Sequence, residues 1–273
     1  MAAPSIAVIV TTYNWPRALG LVLETLARQD YPRFEVLVAD DGSGAETAAL
    51  VAQRAQRSPV PLRHVWQEDR GFRAAAARNR AVAASGADYL VFLDGDCLVR
   101  PDFLRRHAKM AAAGRFVAGN RVLLSRGFSE RLLAATDAAP AVWANWRWLG
   151  PRLSGGVNRW SSLLRLPGGA WRDARPDRWE GVKTCNLGVW RDDFVAVNGL
   201  DERYQGWGYE DSDLAIRLIH NGVRRRDGRF AATVLHLWHQ EHERLGTSDN
   251  LARLHALRDT PRVRAEQGLD RYL

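Results

Sequence analysis

A chain of 273 residues, 46% hydrophobic and 26% charged, can build one large α/β domain or two small ones without disulfide or metal staples. Its two cysteines, Cys97 and Cys185, form no CxxC pair, which excludes a disulfide scaffold and a zinc–thiolate site and fits a reducing compartment. The net charge of +8 is unevenly spread: residues 121–180 hold ten arginines against five acids, together with six of the eleven tryptophans.

Four apolar runs alternate with helical patterns up to residue 115. Ile6–Thr11 (IAVIVT) reads as a strand, followed by a helix near Arg17–Arg28 with Leu19, Val22, Leu23 and Leu26 at helical spacing. Phe34–Ala39 precedes a helix near Glu46–Arg57, Leu62–Trp66 one near Ala74–Ala84, and Tyr89–Leu93 one near Pro101–Ala113. Such alternation predicts a mostly parallel sheet with helices on both faces. Further on, the pattern suggests a strand near Arg115–Asn120, a helix near Ser129–Trp148 and a Gly/Pro-rich stretch. Then come a strand and turn in CNLGVWRDDF, a helix over Glu210–Asn221 stopped by Gly222, a strand near Ala232–Leu237, and a last helix capped near Ser248 or Asp249.

The apolar run at the N-terminus has no basic residue ahead of it and is too short for a secretory leader. No stretch reaches the roughly 20 apolar residues of a membrane span, so a cytoplasmic protein is expected. The Arg/Trp-rich segment 121–180 suits an anionic lipid headgroup, a polyanionic glycan or a nucleic acid, and equally a connector whose arginines are merely solvated.

The ends of the first four strands are the informative positions. They read Thr11-Thr12-Tyr13-Asn14, Asp40-Asp41-Gly42-Ser43, Gln67-Glu68-Asp69 and Asp94-Gly95-Asp96. In a parallel sheet these ends share the edge where open α/β sheets bind ligands. Carboxylates at three of four ends repel one another unless a cation or a donor-rich ligand lies between them. Asp94 and Asp96, spaced i and i+2, can face one side, and Gly95 admits a ligand close to the backbone. Two hard oxygen donors suit Mg²⁺ or Mn²⁺ bridging to a diphosphate.

No GxGxxG follows a strand and no P-loop pattern occurs, which leaves phosphates to a metal and to side chains such as Arg73, Arg78 and Arg80. Trp207, walled by Gly206 and Gly208, precedes Glu210 and Asp211 at a helix start. That is the arrangement of a sugar-stacking platform beside a general base. His236, His239 and His242 crowd one short segment, and a neutral imidazole there can complete a metal site begun by Asp96.

In combination, TTYNWP, VADDGS, EDRGFRAAAARN and FLDGDC resemble the family 2 glycosyltransferases of the GT-A fold. The later stretch TCNLGVWRDDF…GLDERYQGWGYEDSDLAIRL is similar to the C-terminal region of galactosyltransferases and chondroitin-polymerase-type enzymes. The resemblance covers roughly residues 5–115 and 181–243. It implies an α/β, Rossmann-like GT-A sheet with helices on both faces and a smaller C-terminal acceptor/metal subregion. It also implies a UDP-sugar donor, Mn²⁺ or Mg²⁺, and inversion at the anomeric carbon.

By position, Thr11, Tyr13 and Asp40 would hold uracil and ribose, Arg78 would lie near the nucleotide, and Asp94 would contact ribose or metal. Asp96 would ligate the metal with His236, His239 being the second choice. Asp211 would be the catalytic base, with Glu210 positioning acceptor or sugar, and Trp207, Gly208 and Asn186 would border the substrate pocket.

The expected organisation is a nucleotide-sugar half at 1–119, a Trp/Arg-rich insertion at 120–180, an acceptor and catalytic region at 181–245 and a helical tail at 246–273. The expected reaction is transfer to a glycan or lipid-linked acceptor in bacterial surface polysaccharide or lipopolysaccharide synthesis. Peripheral contact with the inner face of the cell membrane would run through 121–180. A sugar nucleotidyltransferase is the enzymatic alternative, but it would carry a glycine-rich first loop where this chain has TTYNWPRAL. A nucleic-acid-binding protein, suggested by the pI near 10.1, conflicts with an acid-lined edge that repels phosphates, so no nucleic-acid partner is expected.

Overall fold

The computed structural model describes residues 3–135, 155–158, 160–240 and 247–273. The four expected strands form as β1 (Ile6–Thr12), β2 (Phe34–Asp40), β3 (Leu62–Trp66) and β4 (Tyr89–Asp94). Between them run α1 (Pro16–Leu26), α2 (Ala45–Arg57) and α3 (Ala74–Ala83). Pro16 stands in the first turn of α1, where its missing N–H costs nothing.

The pairing is flush and parallel: Thr12 faces Asp40, Thr11 faces Asp94, and Asp40 faces Trp66. The polar strand ends therefore share one edge, as the sequence pattern requires. In the order β3-β2-β1-β4 the direction in which strands are added to the sheet reverses between β1 and β4, which places a crevice at that point.

The sheet continues through β8 (Asn186–Trp190), β6 (Arg115–Ala118) and β9 (Arg224–Asp227) to seven strands, of which only β8 runs antiparallel to its neighbours. A second sheet of β5 (Cys97–Leu98), β10 (Thr233–His236) and β7 (Asn120–Leu123) begins just past the C-terminal end of β4. The single strand expected near Arg115–Asn120 is thus two strands, split at Gly119. A Cβ at Gly119 would overlap the Asn186 side chain, and its N–H donates to Asn186 O, so the chain can change sheets there only as glycine.

Each face of the large sheet has its own apolar layer. Ile6, Val8 and Val10 of β1 pack with α1 and with Phe103 and Leu104 of α4 (Phe103–Met110). Ala7 and Ile9 face the other way, onto the alanines of α3, Phe194 of α6 (Arg191–Ala196), and Leu214 and Leu218 of α7 (Glu210–His220). Burial on both faces explains why β1 reads as a continuous apolar run, and each fully buried side chain of this kind contributes about 1.5–3 kcal/mol. Of the helix expected near Ser129–Trp148, α5 (Arg126–Ala134) is described, and residues 136–148 lie outside the described residues.

The C-terminal segment carries α8 (Thr247–Arg258) and then turns back under the sheet. Asn250 Nδ2 donates to Gln205 O at 3.0 Å and Trp207 O at 3.4 Å. Arg271 and Tyr272 both bond Glu202 Oε2. The expected tail is therefore a brace for the loop at 201–209. No helix among the described residues is long and apolar enough to cross a membrane.

Candidate active site

The site begins at the β1/β4 crevice. Gly95 N–H donates to Thr11 O at 2.7 Å, and a Cβ on Gly95 would press against that oxygen, so the Asp94-Gly95-Asp96 turn lies hard against β1 because it contains glycine. Asp94, Asp96, Cys97 and His236 bring their ligand atoms within 4.8 Å of one another. The small sheet makes this possible: β10 pairs His236 with Cys97, and Leu237 N–H donates to Asp96 O. His236 Nε2 lies 3.5 Å and His239 Nε2 3.4 Å from Asp96 Oδ2, so both histidines face the same carboxylate. Burial lowers the His236 pKa, outweighing the pull of Asp96, and favours the neutral imidazole that ligates metal.

The donor chemistry fits a magnesium- or manganese-type ion, with carboxylate oxygens and imidazole nitrogen as ligand atoms. Cys97 fits less well. Its thiol donates to Asp96 Oδ1 at 3.5 Å, and burial pushes its pKa well above the ordinary range. His242 lies outside the described residues.

Arg78 is the hub on the other side. Its Nε donates to Thr11 Oγ1 at 2.8 Å, Nη2 to Asp94 Oδ1 at 3.2 Å and Nη1 to Glu210 Oε1 at 3.3 Å. Burial disfavours its charge, but Asp94, Glu210 and Asp211 outweigh that and raise its pKa. Burial, reinforced by the charge of Asp211 and opposed by Arg78, lifts the Glu210 carboxyl from 4.5 to about 7. Both acids sit in the first turn of α7, behind Tyr209 in the left-handed region (φ 75°). Thr184, absent from the sequence reading, donates its hydroxyl to Asp211 Oδ1 at 2.6 Å and so orients that carboxylate. Only its position next to the CNLGVW strand could have marked it.

The rest of the strand-end edge is built from three loops. Asn14 N–H donates to Ser43 Oγ, and Gly44 N–H to Asn14 Oδ1, which ties the β1 loop to the Asp40–Ser43 turn. Gly42 adopts φ 99°, and a Cβ there would come within 2.5 Å of Asp69. Tyr13, 47% exposed, donates its hydroxyl to Asp69 Oδ2 at 2.9 Å.

Asp40 is wholly buried, with Oδ1 accepting from Ser43 N–H and Oδ2 lying 2.7 Å from His64 Nε2. Burial pushes its pKa up, but the bonds from His64 and Ser43 more than offset this and lower it. Direct contact with a nucleoside would require one of these bonds to be given up.

Asn186 is not in a pocket. It is 1% exposed; Nδ2 donates to Asn120 O and Ala232 O, and Oδ1 faces His107 Nε2 at 3.2 Å. Burial lowers the His107 pKa to about 4, so the ring stays neutral. Asn186 therefore joins the two sheets and presents almost no surface to a pocket, contrary to the expected substrate contact, because its amide is taken up by the polar groups packed around it.

Arg80 also turns away, with its guanidinium 4.8 Å from the Tyr272 ring centroid. Arg73 Nη2 donates to Glu68 O across the loop. Trp207 remains 41% exposed between Gly206 and Gly208, both at positive φ, and Gly206 N–H donates to Phe72 O of the β3–α3 loop.

Comparison with known proteins adds identity to this geometry. The profile of Glycosyl transferase family 2 matches residues 7–158, and that of the N-terminal domain of galactosyltransferase matches residues 174–243. Validoxylamine A glucosyltransferase of Streptomyces hygroscopicus subsp. jinggangensis (strain 5008) is 33% identical over 233 residues, which cover 81% of this chain. The chain spans about half the length of that relative, 52%.

Two solved structures share the fold. The mannosyltransferase PcManGT from Pyrobaculum calidifontis, in complex with GDP-Man and Mn²⁺, superposes with a TM-score of 0.61 at 19% identity, covering 95% of this chain and 66% of its own. S. aureus TarS 1–349 in complex with UDP-GlcNAc does so with a TM-score of 0.62 at 14% identity, covering 98% and 69%. With more than half of its length matched by the family profile and a GT-A fold, this chain belongs to glycosyl transferase family 2.

Proposed function

We propose that the chain is an inverting glycosyltransferase that moves a sugar from a UDP-sugar to a hydroxyl of a glycan or lipid-linked acceptor. One observation carries the reading. A carboxylate–imidazole group with ligand atoms within 4.8 Å meets, across Arg78, a helix start bearing Glu210 and Asp211. Asp96, His236 and His239, with Asp94, would hold Mn²⁺ or Mg²⁺, which when bound supplies positive charge against a diphosphate. The GDP-Man and Mn²⁺ of one structural neighbour and the UDP-GlcNAc of the other support a nucleotide-sugar donor.

In this reading residues 1–119 hold the nucleotide sugar and 181–245 the acceptor and base, while 246–273 brace the latter. Thr11 and Tyr13 border the nucleoside, and Asp40 acts through the turn it fixes. Asp211 takes the proton of the acceptor hydroxyl on Oδ2, while Thr184 holds Oδ1. Glu210, whose pKa burial lifts to about 7, can in its protonated form offer a hydrogen bond to acceptor or sugar, and Trp207 with Gly208 walls the acceptor side.

Exposed Leu164, Leu166 and Trp171 among the arginines of 121–180 support a peripheral contact with an anionic membrane face, consistent with surface-polysaccharide or lipopolysaccharide synthesis. Protein that never co-sediments with anionic liposomes would remove that contact.

The test of the main reading is a hydrolysis screen of nucleotide sugars with manganese, starting from glucosyl donors because of the glucosyltransferase relative. One UDP-sugar should be split, and chelation should stop it. Preference for a donor of another nucleotide would replace UDP, and failure to bind any nucleotide sugar would end the proposal.

A further inference from the structure

Acids dominate the site: Asp94, Asp96, Glu210 and Asp211 meet there, and Arg78 is occupied by Thr11, Asp94 and Glu210. A second guanidinium approaches from the small sheet. Arg121 on β7 pairs with Val234 of β10, and His236 follows two residues along β10. Side chains two apart on a strand share a face, and paired residues do too. Arg121 therefore projects from the same face of the small sheet as His236 and Cys97.

The large sheet leads to the same point. Leu93 pairs with antiparallel Asn186, which sets Cys185 across from Asp94, and Arg121 Nη1 lies 4.0 Å from Cys185 Sγ. Asp94 and His236 both lie within its electrostatic reach. A cysteine sulfur is a weak acceptor, so this contact uses little of a five-donor fork.

We infer that Arg121 is a binding residue for the donor's diphosphate, gripping the phosphate oxygens from the small sheet. The inference rests on the nucleotide-sugar reading above. Asp94 and Asp96 offset much of the charge of a divalent ion, so the ion alone does not cover a sugar-linked diphosphate. Part of that negative charge, and of the further charge that grows as the sugar leaves, is left to side chains beside the ion. Arg121 answers both with a planar pair of donors. Cys185 serves as a weakly accepting neighbour that steers the fork; a carboxylate there would pin it, as Asp94 and Glu210 pin Arg78.

Calorimetric titration of wild type, R121Q and R121K with UDP and with uridine, in the presence of Mn²⁺, tests the assignment. R121Q should weaken UDP roughly 10- to 100-fold while uridine changes by less than about threefold. R121K, with an unaltered melting temperature, should recover part of the loss. Unchanged UDP affinity in R121Q, or a parallel loss of uridine, overturns the inference. If wild type prefers another nucleoside diphosphate, the uridine reading falls, and the same ratio measured with that diphosphate and its nucleoside decides Arg121. A wild type that binds no nucleoside diphosphate overturns both.

Discussion

Replacement of Arg78 by methionine would remove a side chain that joins both halves of the site. Arg78 is 5% exposed and its guanidinium donates to Thr11, Asp94 and Glu210, so three polar groups lose a partner at once. Their costs differ. The Asp94 side chain is 29% exposed and regains water, whereas that of Glu210 is 11% exposed and does not. Breaking a buried pair typically costs about 3–5 kcal/mol. Because Glu210 readily keeps its proton, the carboxyl can neutralise itself, which caps the penalty at roughly 2–4 kcal/mol.

Urea unfolding followed by tryptophan fluorescence measures this loss. Donor turnover should fall by about 10²-fold or more, since Asp94 and Glu210 both lose their orientation. Lysine at 78 restores the charge but not a planar fork that reaches three acceptors, and should recover less than about half of the loss. The double-mutant cycle of R78M with E210Q isolates the pair, with an expected coupling of about 1–3 kcal/mol. Zero coupling, or R78M within about 0.5 kcal/mol of wild type, would refute the hub.

Asp211→Asn should lower turnover by roughly 10²–10⁴ while leaving UDP binding intact; loss of UDP binding would count against a base at this position. Asp96→Ala should abolish metal-dependent UDP binding, and a manganese titration identical to wild type would remove Asp96 from the metal group. Glu210 binds its proton more tightly folded than unfolded. Between the ordinary value of 4.5 and about 7 the native state therefore holds more protons than the unfolded one, and stability falls as pH rises through that window. E210Q should flatten this slope in melting temperatures of the metal-free protein, and equal slopes in both proteins would contradict it.

Much of the scaffold was legible in local patterns. IAVIVT and YLVFL, and FEVLVA apart from Glu35, are apolar along nearly their whole length because both faces are covered, which marked them as strands, and their polar ends lie on one edge. Glu210 and Asp211 were visible because a helix start with Gly222 closing its far end is a local signal. The small sheet was not foreseen as a unit, since β5 has two residues and no periodicity to read. His236 and His239 could therefore be ranked but not placed together, and both turned out to face Asp96.

Polar residues gave the least secure readings, because a side chain's type says what it can bond and not what stands beside it. Asn186 looked like a ligand contact but joins two sheets through Asn120 and Ala232, 66 and 46 residues away. Asp40 is closed off by His64 from the next strand, and Arg78 reaches Glu210 across 132 residues. Strand alternation, helix periodicity and turn chemistry act over a few residues, so the chain's own order determined the elements and the edge on which the chemistry gathers. Which acid meets which base depends on how distant segments cross, and only the folded sheets decided that.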